Sequence, residues 1–464
     1  MLWDLQGREV RGLEVQHEYR AADEIDADRL ARLVIRCLVA LMRVAGPRRA
    51  GRIAAVGVST FWHGLVAADG SRRALTPVYL WSDVRSRPAA ERLRERFDAE
   101  DVWRRTGCPL HPSYWPAKLS WLREERPDLW RRPVRWLSFG DLLFWRLFDR
   151  LGTSLSMASG TGLLRLDDRR WDEGLLGELR IEPGSLPPLA TAERGLAPEY
   201  ARVLPELAEI PWVHAAGDGA LANLGSGCTS KANRAITIGT SGALRVMHGG
   251  SAAGLPRGLW RYRLDESRFL TGGALSNGGN LRDWLLTNLR AGTRIRQGTP
   301  GAHGLTFLPH LFGERSLGYA ADAFGAVAGL TSATTADDMA QAAYEAVAVQ
   351  FAQIDRKLDE ILPGARRLVA SGAALLRSPG WMQMIADATG RPTAASRTRE
   401  ASSRGAALFA METLGVSRPA PRGSGTAKVF TPGRKNAIAY REMEARQAAL
   451  YEALIKDRIL DRVP

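Results

Sequence analysis

The chain is poor in several features that mark whole classes of protein. Only three cysteines occur in 464 residues, Cys37, Cys108 and Cys228, far apart and without metal-ligand spacing. So sparse and odd a set excludes a disulfide scaffold and a thiolate zinc site, and suits a reducing compartment in which each cysteine serves as a small hydrophobe. No apolar run reaches the roughly 18 residues that a membrane-spanning helix needs, so no membrane partner is expected. The opening, "MLWDLQGREV", has neither a basic segment nor an apolar core; no signal peptide is expected, and a cytoplasmic location is. No short-period repeat is visible, which argues against a solenoid or a propeller. Dense basic tracts with interleaved aromatics are also missing, although the formal net charge is +14. The arginines are spread along the chain, often beside Asp or Glu, as in "SDVRSRPAAERLRERFDAEDVWRR". That pattern does not point to nucleic acid; base composition or a preference for anionic small molecules accounts for the arginine excess, and charge alone does not separate the two.

What is present is the composition of a globular protein, 45% hydrophobic and 25% charged, on a chain long enough for two or three domains. Strand-like and helix-like stretches alternate, the pattern of an α/β protein. Asp26 to Ala45 reads as an amphipathic helix, with Cys37 on the stripe of Leu30, Leu33, Val34, Leu38 and Leu41. "IAAVGVSTFWHG" reads as an apolar strand that opens into a polar loop at His63, and a helix ends the chain after a loose "RPAPRGSGT" stretch. Beyond "LAEIPWVHAAGDGALANLGSGC" the sequence becomes rich in Gly, Ala and Ser. This shift divides the chain into an expected N-terminal domain, 1–212, and a C-terminal domain, 213–464.

Four stretches carry chemistry. "AITIGTSGALRV", residues 235–246, reads as strand, turn, strand, with Gly239, Thr240, Ser241 and Gly242 in the turn. Such a tip leaves backbone N–H groups unpaired and adds two hydroxyls, a seat for phosphate oxygens; the same composition also serves an ordinary β-turn. "VHAAGDGALANLGSGC" puts Val213 at a strand end and Asp218 between Gly217 and Gly219 at a strand-to-helix corner. There a carboxylate either caps the helix or takes a proton from a hydroxyl. In "LVASGAALLRSPGWMQMIADATGRP" a strand ends at Ala370, and the small residues Gly372, Ala373 and Ala374 let a flat ring lie against the backbone. Ser378 and Pro379 then begin a helix that Gly390 and Pro392 end. Finally, "STFWHGLVAADG" and "PVYLWSDVRS" place His63, Trp81, Asp83 and Arg85 in loops after predicted strands, where open α/β sheets bind ligands. Carboxylate and guanidinium groups pair with hydroxyls and an indole covers a C–H face, so the set suits a polyol.

In this order the segments resemble the FGGY carbohydrate kinases, most closely their gluconokinase-like branch. The matching stretches are "STFWHG", "LWSDVRS", "TGCPLHPSYWPAKLSWL", "SMASGTGLL", "GDGALANLGSGC", "TIGTSGALRV", "GGALSNGGNLRDWL", "FLPHLFGERSLGY", "GAALLRSPGWMQMIADATGRP" and "EASSRGAALFA". The resemblance implies a two-domain actin-like ATPase (ribonuclease H-like) fold with a cleft between its halves. It further implies ATP-dependent phosphorylation of a sugar, sugar acid or polyol, with a gluconate-like substrate favoured. ATP would lie mainly against the C-terminal half and the sugar against the N-terminal half; a homodimer is compatible with this. Asp218 matches the family's catalytic base. Gly239, Thr240, Ser241 and Gly242 match its second phosphate loop, helped by Mg²⁺ that arrives with the nucleotide. Gly278, Gly279 and Asn280 match a loop near the phosphates, and Gly372, Ala373 and Ala374 the adenosine loop. His63, Trp81, Asp83 and Arg85 match sugar-contacting positions. No residue is assigned as a metal ligand.

The departures are specific. Family members open with a strand and an Asp-x-Gly-Thr-Ser turn, the first phosphate loop, whose Asp serves Mg²⁺. Here "MLWDLQGREV" resembles the second strand and the turn to the third, so the first strand and first phosphate loop are expected to be missing. That leaves two readings: a kinase whose start lies upstream, and a catalytically impaired sugar- or nucleotide-binding relative. Ala373 stands where many relatives have a second glycine, and Leu317 where "GERSP" has proline.

Overall fold

Asn233–Ile238 lies at the centre of the largest sheet because both its faces are apolar: Ala235, Ile236 and Ile238 are buried. The computed structural model describes residues 1–19, 24–251, 254–292, 295–296, 298–416 and 426–459. In it seven strands form one sheet in the order Trp260–Arg263, Phe269–Leu275, Gly242–His248, Asn233–Ile238, Arg367–Ser371, Thr393–Ser396, Thr426–Phe430. The first four are antiparallel neighbours, and Arg367–Ser371 runs parallel to the strands on both its sides. The helix Ala336–Ile361 covers this sheet. Thr335 and Asp338 start it with a reciprocal capping box, and Val347, Phe351 and Ile354 pack with Ile238, Leu244 and Trp381. Each such large side chain, fully buried, contributes about 1.5–3 kcal/mol.

The N-terminal half is less extensively paired. Val56–Thr60 runs parallel to Trp212–Gly217, which pairs in turn with Ala192–Glu193. Every residue of Trp212–Gly217 is buried, whereas Val56 to Ser59 are half-buried. The other edge of Val56–Thr60 has no strand partner among the described residues. The helix Ala401–Thr413 lies close against it: a Cβ on Gly57 would fall 2.2 Å from the Ala406 carbonyl oxygen. The same helix crosses Asp218–Gly225 with its backbone almost in contact, since a Cβ on Gly405 would fall 1.9 Å from the Leu221 carbonyl.

The long first helix spans Ala27–Ala50; Asp26 caps it by accepting the Arg29 N–H at 2.8 Å. Gly46, with φ of 69°, interrupts the helical backbone just before Pro47, close to the limit at Ala45 read from the sequence. The expected helix start at Ser378–Pro379 and its glycine stop are present, as Pro379–Thr389 with Gly390 in the left-handed region. Two local expectations need correction. Val213 is near the beginning of its strand, which continues to Gly217. A short helix, Ala373–Leu376, fills what had read as loop. The "RPAPRGSGT" stretch lies outside the described residues except for Thr426, which opens a strand; the closing helix is Arg434–Tyr451. Among the described residues no helix is long and apolar enough to cross a membrane.

Candidate functional site

The glycine-rich turn sits where three loops converge at one end of the seven-stranded sheet. Ile238 pairs with Gly242, so Gly239, Thr240 and Ser241 form the tip and Gly242 starts the returning strand. The tip is held from behind: the Gly279 N–H donates to the Gly239 carbonyl at 2.7 Å and the Asn280 N–H to the Thr240 carbonyl at 3.0 Å. A Cβ on Gly279 would lie 2.4 Å from the Gly239 oxygen, so only glycine permits this approach. Gly278 begins the helix Gly279–Asn288, and the Asn280 carboxamide oxygen accepts the Gly278 N–H at 2.8 Å. Gly278, Gly279 and Asn280 therefore brace the hairpin from behind, with the Gly279 and Asn280 amides already engaged. The amides of Thr240 and Ser241 have no partner among the described residues, and Thr240 is exposed.

Gly372 approaches the same place from the parallel strand. Its φ of 90° and ψ of 140° suit glycine alone, and a Cβ there would fall 2.4 Å from the Ile238 carbonyl. Ala374 completes the junction, its methyl 3.2 Å from where a Cβ on Gly279 would lie. Ala373 is exposed beside it. The three groups of residues expected to serve nucleotide binding are thus brought together.

Asp218 is the first residue of the helix Asp218–Gly225, directly after the buried strand Trp212–Gly217. Its carboxylate accepts the Gly219 N–H at 2.8 Å and its surface is open. The surrounding protein raises its pKa above the usual carboxylate range, opposed by the positive charges of Arg245 and Arg315 and by the Gly219 N–H. A carboxyl so poised accepts a proton more readily than a free surface aspartate. Arg245 comes from the strand after the hairpin. It donates to Thr237 Oγ1 at 2.7 Å and to Asn223 Oδ1 at 3.2 Å, and so ties the hairpin's sheet to the helix that carries Asp218.

On the N-terminal side, His63 follows Val56–Thr60 with φ of 66°. It lies buried among Trp62, Tyr114 and Tyr262, its Nδ1 2.6 Å from the Gly160 carbonyl. Burial first, and the Arg315 charge second, hold its imidazole pKa well below normal, so the ring is neutral. Lys118, also buried, donates to the carbonyls of His63 (2.9 Å), Ser113 (3.1 Å) and Tyr79 (3.4 Å) and pins three loops together. Trp81 lies under the Arg315 guanidinium, whose carbon is 4.8 Å from the ring centroid.

Arg85 is placed differently from its expected role. It is clamped by buried Asp83 at 2.7 Å and by Glu24 at 2.8 Å. Its guanidinium also rests near the rings of Tyr79 and Trp121, at 5.3 and 5.1 Å. Asp83, Trp81 and His63 are thus near one another, while Arg85 is committed to Asp83. Arg245, Arg315 and Lys118 were missed by sequence reasoning. For Arg315 a signal existed, in its place within the quoted "FGERSLG" stretch.

Comparison with known proteins agrees with this architecture. Residues 4–225 match the N-terminal domain, and residues 234–414 the C-terminal domain, of the FGGY family of carbohydrate kinases. The gluconokinase of Bacillus subtilis (strain 168) is 30% identical over 384 residues, covering 78% of this chain and 75% of that protein. The xylulose kinase of Streptomyces rubiginosus is 32% identical over 385 residues, covering 79% and 76%. The solved structure of gluconate kinase from Lactobacillus acidophilus superposes with a TM-score of 0.84 at 24% identity, covering 97% of this chain and 94% of that one. At that identity the likeness speaks to the fold.

Proposed function

The chain belongs to the FGGY family of carbohydrate kinases, and on that premise we propose that it moves the γ-phosphoryl group of ATP onto a hydroxyl of a gluconate-like sugar acid. ATP-dependent phosphotransfer to a carbohydrate is the activity of the family. The phosphotransfer reading rests above all on one observation: the Asp218 carboxylate stands at a strand-to-helix corner tied through Arg245 to the strand beside a glycine-rich hairpin. The gluconate-like acceptor is favoured by the 30% identity to a gluconokinase.

In this reading Asp218 accepts the proton of the attacking hydroxyl. That oxygen bonds to the γ-phosphorus in line with the bridging oxygen that departs on ADP. The Thr240 and Ser241 amides and hydroxyls, with Gly239 and Gly242, receive the phosphates; Gly278, Gly279 and Asn280 keep the hairpin in place. Gly372, Ala373 and Ala374 lie against the adenosine. His63, Trp81 and Asp83 meet the sugar, and Arg85 acts by holding Asp83. The assignment of 1–212 to the sugar side and 213–464 to the nucleotide side remains our proposal, with Trp212–Gly217 as the strand that joins them. A Mg²⁺ ion arriving with the nucleotide would neutralise phosphate charge.

Asp218→Asn tests the reading because it keeps the shape and removes the proton acceptor. Turnover should fall by about two orders of magnitude or more, with ATP affinity by calorimetry nearly unchanged. Near-normal turnover would reduce Asp218 to the first residue of its helix.

A further inference from the structure

We propose that Arg315 selects the substrate by holding an anionic end group, the carboxylate of an acyclic sugar acid, against the Trp81 indole. The proposal rests on the carbohydrate-kinase reading above and names the residue that would set its substrate class.

The charges around the sugar-side loops carry the argument. Four guanidinium groups come near. Arg94 donates to the Leu110 carbonyl at 3.0 Å, and its charge reaches His111. Arg85 is neutralised by Asp83 and Glu24. Arg245 is held by the neutral oxygens of Asn223 and Thr237. Arg315 has neither a hydrogen bond nor an ion pair from its side chain among the described residues; its guanidinium lies over the face of Trp81. A guanidinium stacked in this way keeps its N–H edge free, and that edge matches the two oxygens of a carboxylate.

The loop that presents Arg315 is firmly built. The neighbouring Glu314 is buried and accepts the Leu317 and Gly318 amides at 3.2 and 3.0 Å and the Tyr451 hydroxyl at 2.6 Å. Arg315 also acts electrostatically on His63, His111, Lys118 and Asp218, which places it centrally. His111 is buried beside this loop, its Nδ1 3.1 Å from Ser113 Oγ. Burial and the Arg315 charge hold His111 neutral, with its pKa at about 3. Of the carboxylates nearby, Asp83 is engaged by Arg85, and Asp218 must stay free to take a proton. A half-buried cation without a hydrogen-bonded counter-ion is costly, and an anionic substrate group removes that cost.

The oxyanion on Arg315 could instead come from the γ-phosphate of ATP, and the experiment separates the two. Arg315→Ala and Arg315→Lys are compared with the unaltered chain for KM and kcat toward gluconate, toward xylulose and toward ATP. Gluconate binding is measured in parallel by calorimetry without nucleotide, and melting curves check the fold. Losing a charge-assisted pair predicts that Arg315→Ala raises the gluconate KM about 10- to 100-fold and lowers the gluconate-to-xylulose ratio of kcat/KM by a similar factor. Arg315→Lys, which keeps charge but not the fork, should fall between. An unmoved gluconate KM, an equal loss for both sugars, or a loss confined to ATP would overturn the proposal. A chain that turns over xylulose but neither binds nor turns over gluconate overturns the Arg315 assignment and leaves the kinase reading intact. A chain that turns over no sugar yet loses gluconate binding in Arg315→Ala contradicts the kinase reading and supports Arg315.

Discussion

The hairpin region is defined by backbone, and the loops around His63 and Trp81 by side chains. At the hairpin, three segments approach so closely that Gly279 and Gly372 leave no room for a Cβ, and the groups turned outward are amides and small hydroxyls. Around His63 and Trp81 the groups are an imidazole, an indole, buried tyrosines and a guanidinium, and one lysine reaches three carbonyls there. The sheets beneath differ in the same sense. Seven strands support the hairpin, while Val56–Thr60, which leads to His63, has a single strand partner among the described residues and is half-buried. A backbone-defined site suits a ligand that is the same in every turnover, such as a nucleotide. A side-chain-defined site can be altered one residue at a time.

If the contrast is right, a methyl group added on the hairpin side should do more harm than an exchanged side chain across the cleft. The largest effect is expected from Gly372→Ala. It combines a positive φ with a Cβ 2.4 Å from the Ile238 carbonyl, and should cost about 2–4 kcal/mol of stability. ATP affinity should fall by at least about tenfold. Calorimetry with ATP and a melting curve check this, and an unchanged ATP affinity would break the comparison.

A smaller effect is expected on the loop side from Lys118→Met. Leaving buried carbonyls without a donor costs about 1–3 kcal/mol, partly offset by relief of the buried charge. The gluconate KM should rise while the ATP KM stays constant. This variant also has a pH signature. Burial lowers the Lys118 pKa from 10.5 to about 7, with Asp83 opposing and Arg315 reinforcing the shift. Between those values the unfolded chain holds a proton that the native chain has released, so native stability gains from Lys118 as pH rises from about 7 toward 10.5. Denaturant melts at pH 7 and pH 9 should show this gain in the unaltered chain and lose it in Lys118→Met.

The same contrast explains how much was legible in the sequence. The hairpin, the helix start at Ser378–Pro379 and the Asp218 corner follow from local rules, because glycine, hydroxyl and proline positions restrict the backbone near themselves. The short helix Ala373–Leu376 was missed because it is only one turn long. The loop side was harder to read, since side-chain roles depend on partners distant in sequence. Arg85 looks free two residues from Asp83 until Glu24 and Trp121 arrive from elsewhere. Lys118 reads as an ordinary helical lysine until three loops fold over it. Arg315 carries meaning only once Trp81 lies beneath it and, among the described residues, no carboxylate pairs with it.

The most direct measurement is sugar-dependent ADP release by the chain across gluconate, xylulose, ribulose and glycerol. The account predicts the highest kcat/KM for gluconate and little ADP release when no sugar is present. A response confined to glycerol would contradict the gluconate assignment, and ADP release that no sugar alters would contradict phosphotransfer to a carbohydrate by this chain.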